Sequence, residues 1–152
     1  MTQIAQNQEA PALTPQQIAL VRKSFEAVVP IRETAATLFY ARLFEIAPEV
    51  RPLFSRDLSA QGTKLMAALA MVARNLDRID DIRPEIEKLA LRHVSYGAVE
   101  AHYPAVGEAL LWTLEQGLGE SFGDDVRDAW TTAYALLSGA MIAASSSVEP
   151  MA

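Results

Sequence analysis

The chain has 152 residues, 51% of them hydrophobic, a formal net charge of −6 and no cysteine. That length suits one domain with a sizeable core, and the missing thiol excludes a disulfide scaffold, a thiolate metal site and a cysteine nucleophile. An acidic balance without a basic cluster argues against nucleic acid and anionic membranes as partners, and no stretch approaches the roughly eighteen apolar residues of a membrane span.

Residues 1–13 are polar, Gln-rich and unpatterned, the mark of a mobile extension. They hold no basic region followed by an apolar run, so no secretory signal is read and the expected setting is the cytoplasm. The first helix begins at Thr14-Pro15-Gln16-Gln17, where a hydroxyl cap, a first-turn proline and a glutamine three residues after the cap coincide. Ile18, Val21, Phe25 and Val28 continue it as a stripe up to Pro30, and a second helix carries Ala36, Tyr40, Leu43 and Phe44 on one side. Pro48 and Pro52 predict a short, kinked piece ending at Leu53-Phe54.

Ser59 is a candidate cap for a long helix with Gln61, Leu65, Ala68, Leu69, Val72 and Leu76 on one face, and residues 77–81 read as a polar turn. In the fourth helix Ile86, Leu89, Ala90 and His93 stand at i, i+3, i+4 and i+7 and share a face, with a stop near Gly97. Pro104 opens a fifth helix through Leu118, closed by Gly119. Asp124 caps a sixth, with Val126, Ala129, Trp130, Ala133, Leu137 and Ala140 as its buried stripe. No alternating run, hairpin dipeptide or repeat points to a strand. The expectation is an all-α domain over residues 14–146, with about six substantial helices plus a short prolyl helix, and a frayed tail over residues 147–152.

Much chemistry is missing. The chain has no phosphate-cradling glycine loop, no HExxH motif and no GxSxG elbow. Asp80-Asp81 and Asp124-Asp125 are neighbours in sequence, and adjacent residues on a helix do not face one another, so turn and cap duty explains them better than acid–base catalysis. His93 is one of two histidines. An imidazole on the apolar stripe must find a hydrogen-bond partner or a metal, and taken alone it reads as a satisfied core residue rather than a ligand. One histidine holds a metal firmly only where something else supplies most of the ligands, as a porphyrin does.

The segments Leu38-Phe39-Tyr40-Ala41-Arg42-Leu43-Phe44, Pro48-Glu49-Val50-Arg51-Pro52-Leu53-Phe54 and His102-Tyr103-Pro104-Ala105-Val106-Gly107 resemble bacterial globins, above all the flavohaemoglobin lineage and its single-domain members. The resemblance runs from about Leu13 to about Ala144, and its specificity lies in the order and spacing of the segments. It implies a globin fold packed around haem b. Carried over residue by residue, His93 matches the proximal histidine that ligates the iron, and Phe54 the phenylalanine wedged against the porphyrin. Tyr40 and Gln61 match the distal tyrosine and glutamine, Leu65 the apolar residue over the ligand, and Tyr103 a tyrosine behind the proximal histidine. Leu89 and Val99 complete the expected haem contacts, with Lys64 at the rim, where it reaches a propionate or is simply solvated. His102, beside Pro104, reads as a capping or surface histidine and not as a second axial ligand.

The resemblance implies binding of O2, NO and CO at ferrous haem. O2 held there carries partial negative charge, so a phenol and an amide aimed at it, each contributing roughly 1–3 kcal/mol in a dry pocket, favour slow release. The expected role is NO dioxygenation or O2 storage and delivery; in the first, an external reductase must restore the iron. The lineage also pairs the proximal tyrosine with a glutamate on the last helix, and in a gapless alignment Ser145 holds that position. This weakens the case for a peroxidase-like enzyme, as does Gln61, which has no useful pKa. A globin-like sensor or interaction module without haem is the remaining alternative.

Overall fold

The computed structural model describes residues 13–54, 58–95 and 102–148. Six α-helices stand among them: α1 (Pro15–Val28), α2 (Arg32–Ile46), α3 (Ser59–Arg74), α4 (Arg83–Ser95), α5 (Tyr103–Leu118) and α6 (Asp124–Val148). Short 3-10 segments cover Val29–Ile31, Pro48–Leu53, Leu76–Ile82 and Gly119–Ser121, and no strand occurs among the described residues.

Local chemistry explains most of these boundaries. The Thr14 hydroxyl accepts from the Gln17 N–H at 3.0 Å while Gln17 Oε1 accepts from the Thr14 N–H at 3.0 Å, so two orphan donors of the first turn are satisfied reciprocally. Pro48 and Pro52 both lie in the segment that the prolines were expected to shorten. Gly119 ends α5 with φ at 57°, a left-handed backbone that glycine adopts without strain.

Two expected caps are corrected. Ser59 is the first residue of α3, and Leu58, which packs against the core, occupies the cap position without a side-chain bond. Asp124 likewise begins α6 from inside, since the Gly123 carbonyl accepts from the Arg127 N–H at 2.9 Å. There Asp124 and Asp125 put negative charge in the first turn, where it complements the helix dipole. Residues 77–81 fall within the Leu76–Ile82 segment, which breaks at Arg78 (φ −149°, ψ 51°). The last helix continues through the Ser145-Ser146-Ser147 run to Val148. The stop near Gly97 lies outside the described residues.

The most extensive helix contacts are α2 with α5, α4 with α6 and α1 with α6. The main core gathers side chains such as Val21, Phe39, Leu43, Leu110 and Trp130 from α1, α2, α5 and α6. A smaller cluster of Ile86, Ala90 and Met141 joins α4 to α6 separately. One long-range clamp had no sequence signal. Arg22 of α1 donates to the Ala73 and Arg74 carbonyls at 2.9 and 2.8 Å and to Asp77 Oδ1 at 2.9 Å, satisfying the C-terminal end of α3.

Candidate functional site

Tyr40 projects from α2 into an aromatic group, with ring centroids of Phe39, Phe54 and Phe44 at 5.0, 5.5 and 6.1 Å. It is 5% exposed, and burial pushes its phenol up to about 12, so the hydroxyl keeps its proton throughout the physiological range. That hydroxyl donates to the backbone carbonyl of Gln61, not to its side-chain amide, over a long 3.4 Å. Phe54 is half-buried at the end of the prolyl segment and also meets Phe44 at 5.5 Å. Arg51 braces this corner, with its guanidinium 5.0 Å from the Phe44 centroid and its Nη1 donating to the Phe54 carbonyl at 3.2 Å.

The close approach of α2 and α3 depends on a residue that the motifs did not flag. A Cβ at Gly62 would stand 3.0 Å from the Ala36 Cβ, so hydrogen at that position lets the start of α3 reach the Tyr40 side of α2. The signal available beforehand was two small residues on facing stripes, which is common in helical chains. Gln61 and Leu65 are half-buried on α3, with Leu65 packed against the main core, and Lys64 is exposed.

His93 stands on α4 beside Ile86 and Ala90, which are 2% and 0% exposed and face α6. Leu89 and His93 lie slightly further round the helix and are half-buried. His93 Nδ1 is 2.8 Å from the Leu89 carbonyl. A carbonyl oxygen only accepts, so the nitrogen in this bond carries the proton and the neutral ring has its lone pair on Nε2. Tyr103 opens α5 and joins Leu89 against the Ile86 cluster, and burial raises its phenol pKa. Its carbonyl accepts from the Tyr134 hydroxyl at 2.8 Å, and the Tyr134 ring lies where a Cβ on Gly107 would meet it at 2.8 Å. His102 occupies the cap position of α5 without a side-chain capping bond. Val99 lies outside the described residues.

The expected residues therefore form two groups: Tyr40, Phe54 and the Gln61 backbone in one, and His93 with Leu89 on the same helix and Tyr103 beside it in the other. Their chemistry fits haem. An imidazole whose Nδ1 proton is committed to a carbonyl offers Nε2 to a metal, and a buried, neutral phenol is a donor suited to a small anionic acceptor.

The globin family model matches residues 37–141. The chain belongs to the globin family. This globin is 36% identical over 135 residues to the flavohemoprotein of Pseudomonas aeruginosa, an alignment covering 84% of this chain and 34% of that protein. It thus spans about a third of the length of the flavohemoproteins that it matches. Among solved structures it resembles a bacterial globin from Campylobacter jejuni, with a TM-score of 0.79, 28% identity and coverage of 89% of this chain and 98% of that one. It also resembles an engineered carbene transferase built on a provisionally assigned nitric oxide dioxygenase of Rhodothermus marinus. There the TM-score is 0.81 at 30% identity, covering 90% of this globin and 96% of that chain. The all-α globin fold, with six helices and no strands among the described residues, agrees with the expected fold class. None of the described helices is long and apolar enough to cross a membrane.

Proposed function

We propose that this globin holds haem b through His93 Nε2 in the cytoplasm, binds O2, NO and CO, and acts in NO dioxygenation or in O2 storage and delivery. The observation that carries the reading is the 2.8 Å contact between His93 Nδ1 and the Leu89 carbonyl, which fixes the tautomer and ring orientation that a metal requires. When bound, haem supplies a ferrous iron that takes diatomic ligands and exchanges single electrons.

The chain's own residues supply the rest. Leu89 orients the imidazole, and its side chain, with Tyr103, forms the proximal contacts. Phe54 and Leu65 exclude water from the distal side. The Tyr40 hydroxyl and the Gln61 amide donate to the ligand; to do so Tyr40 exchanges a long bond to a carbonyl for a shorter one to a charged acceptor. Lys64 is placed for a propionate at the rim. Position 145, where the lineage has its proximal glutamate, lies within α6 and is serine, so the imidazole is an ordinary electron donor in this reading and peroxide cleavage is disfavoured. In the dioxygenase role haem would supply, when bound, the one electron that converts NO and O2 to nitrate, and an external reductase would replace it.

Spectra of the haem-reconstituted protein test the assignment. The wild type should show a Soret band and a normal ferrous CO spectrum, His93→Ala should lose the latter, and His102→Ala should keep it. Equal damage from both substitutions, or no Soret band in the wild type, would sink the reading.

A further inference from the structure

We infer that Gly62 is a positioning residue for ligand discrimination. By setting the width of the α2–α3 crossing, it fixes how readily the Tyr40 hydroxyl leaves the protein for a bound ligand, and so how strongly O2 is preferred to CO. Two tie points lie side by side at that crossing. One is steric, where a Cβ at Gly62 would stand 3.0 Å from the Ala36 Cβ. The other is the bond that the Tyr40 hydroxyl donates to the Gln61 carbonyl over 3.4 Å. Ala36 and Tyr40 are one turn apart on α2, about 6 Å along its axis, and Gln61 and Gly62 are consecutive on α3. A change at the first tie point is therefore felt at the second. The inference rests on the haem reading for its ligands, but the bond that it concerns exists in the protein alone.

A hydroxyl donor ordinarily approaches its acceptor to roughly 2.5–3.0 Å, so at 3.4 Å little further separation ends the bond. Carbon atoms in contact settle at roughly 3.5–4.0 Å. A methyl on Gly62 would thus part the helices by about 0.5 Å, and the Gln61 carbonyl, one residue away, would move out of reach. Tyr40 is 5% exposed, and this carbonyl is the only partner of its hydroxyl among the described residues. Parting the helices therefore leaves a buried donor without an acceptor, which costs free energy until a ligand supplies one.

The empty site and the filled one consequently respond in opposite ways. With glycine at position 62 the hydroxyl has a resting bond, and a ligand must draw it from the carbonyl. With alanine there the resting bond is gone, so an arriving acceptor gains the whole of the bond that it forms. Only a ligand that accepts a hydrogen bond benefits. O2 gathers negative charge when it binds and CO gathers little, so the width of the crossing weighs on O2 alone. Gly62 thus loosens the hold on O2 while keeping the unliganded core free of an orphaned donor.

Gly62→Ala should slow O2 release from the haem-reconstituted protein by roughly threefold to tenfold, the worth of one resting bond, and leave CO release unchanged. The effect should vanish in the Tyr40→Phe background. Moving the methyl across the crossing, in Ala36→Gly/Gly62→Ala, should restore the wild-type rate. An O2 release rate that does not fall, a slowing of O2 and CO alike, or an effect that persists without the Tyr40 hydroxyl would overturn the inference. Should Gly62→Ala not fold, Ala36→Ser presses on the same crossing from α2 and carries the same expectations. Urea unfolding of the full chain supplies a readout that needs no haem. Tyr40→Phe should leave the midpoint nearly unchanged in the wild type but raise it in Gly62→Ala, where it removes an orphaned hydroxyl. The same response in both backgrounds would overturn the inference. A protein with no Soret band whose midpoints still diverge in this way would retire the haem reading and leave the control of Tyr40 by Gly62 standing.

Discussion

The two sides of the candidate haem site are anchored very differently. On the distal side Tyr40 is locked among three phenylalanine rings and belongs to the main core. On the proximal side the His93 helix rests on α6 through a cluster whose buried members, among the described residues, are Ile86, Ala90 and Met141. A donor set inside the main core thus stands against a candidate ligand helix fastened mainly to one neighbour, α6. The contrast teaches that the distal side is tied into the whole core, while the proximal helix depends chiefly on a single partner helix.

The sharpest way to break that contrast is Ile86→Ala. Ile86 is among the largest fully buried side chains, and truncating it should cost about 2–5 kcal/mol, read as a loss of stability in urea unfolding. Hydrogen exchange should rise first along α4; a uniform rise across the distal helices as well would show that the two sides are not separately anchored.

Next in size comes Gly107→Ala. The new methyl would press on a Tyr134 ring whose hydroxyl is fixed to Tyr103, and the expected cost is about 1–3 kcal/mol by the same measurement. A neutral result would mean that Tyr134 moves aside freely and does not hold α5 in place.

On the distal side Tyr40→Phe keeps the ring packing and removes one donor. O2 release from the reconstituted protein should quicken about tenfold, equivalent to about 1.4 kcal/mol, with little change in unfolding. An unchanged release rate would place the stabilising donor elsewhere.

The last effect is invisible near neutrality. Because burial raises the Tyr40 pKa from 10.0 to about 12, the folded state binds the phenolic proton more tightly than the unfolded chain does. The associated stability is complete below pH 10 and is lost as the pH climbs through about 12. Alkaline unfolding should therefore be shallower in Tyr40→Phe than in the wild type, and identical profiles would contradict the burial argument.

Much of this architecture could be read from local chemistry. The Thr14 box, the two prolines around Val50 and the glycine after Leu118 act through bonds and torsions within a few residues, so their effects are visible in the string itself. Ser59 and Asp124 show the limit: a residue with the right side chain became helical because the preceding residue, Leu58 in one case and Gly123 in the other, took the terminal role. The types and order of the site residues were legible, but their partners were not. Tyr40 bonds to a backbone carbonyl that any residue at position 61 would present, and Gly62 matters only because Ala36 faces it from a helix more than twenty residues away. Such facts arise from tertiary approach and leave no periodic trace.

The Arg22 clamp is built to fail in stages. Its bond to Asp77 is an exposed ion pair, open to weakening by salt and ended when the carboxylate gains a proton. The Asp77 backbone N–H, with help from Arg22, holds that protonation below the usual carboxylate range. The two bonds to the Ala73 and Arg74 carbonyls involve no titrating partner. Brine, or acid strong enough to protonate a carboxylate held below its usual range, can thus strip away one of three tethers while the end of α3 stays fastened to α1.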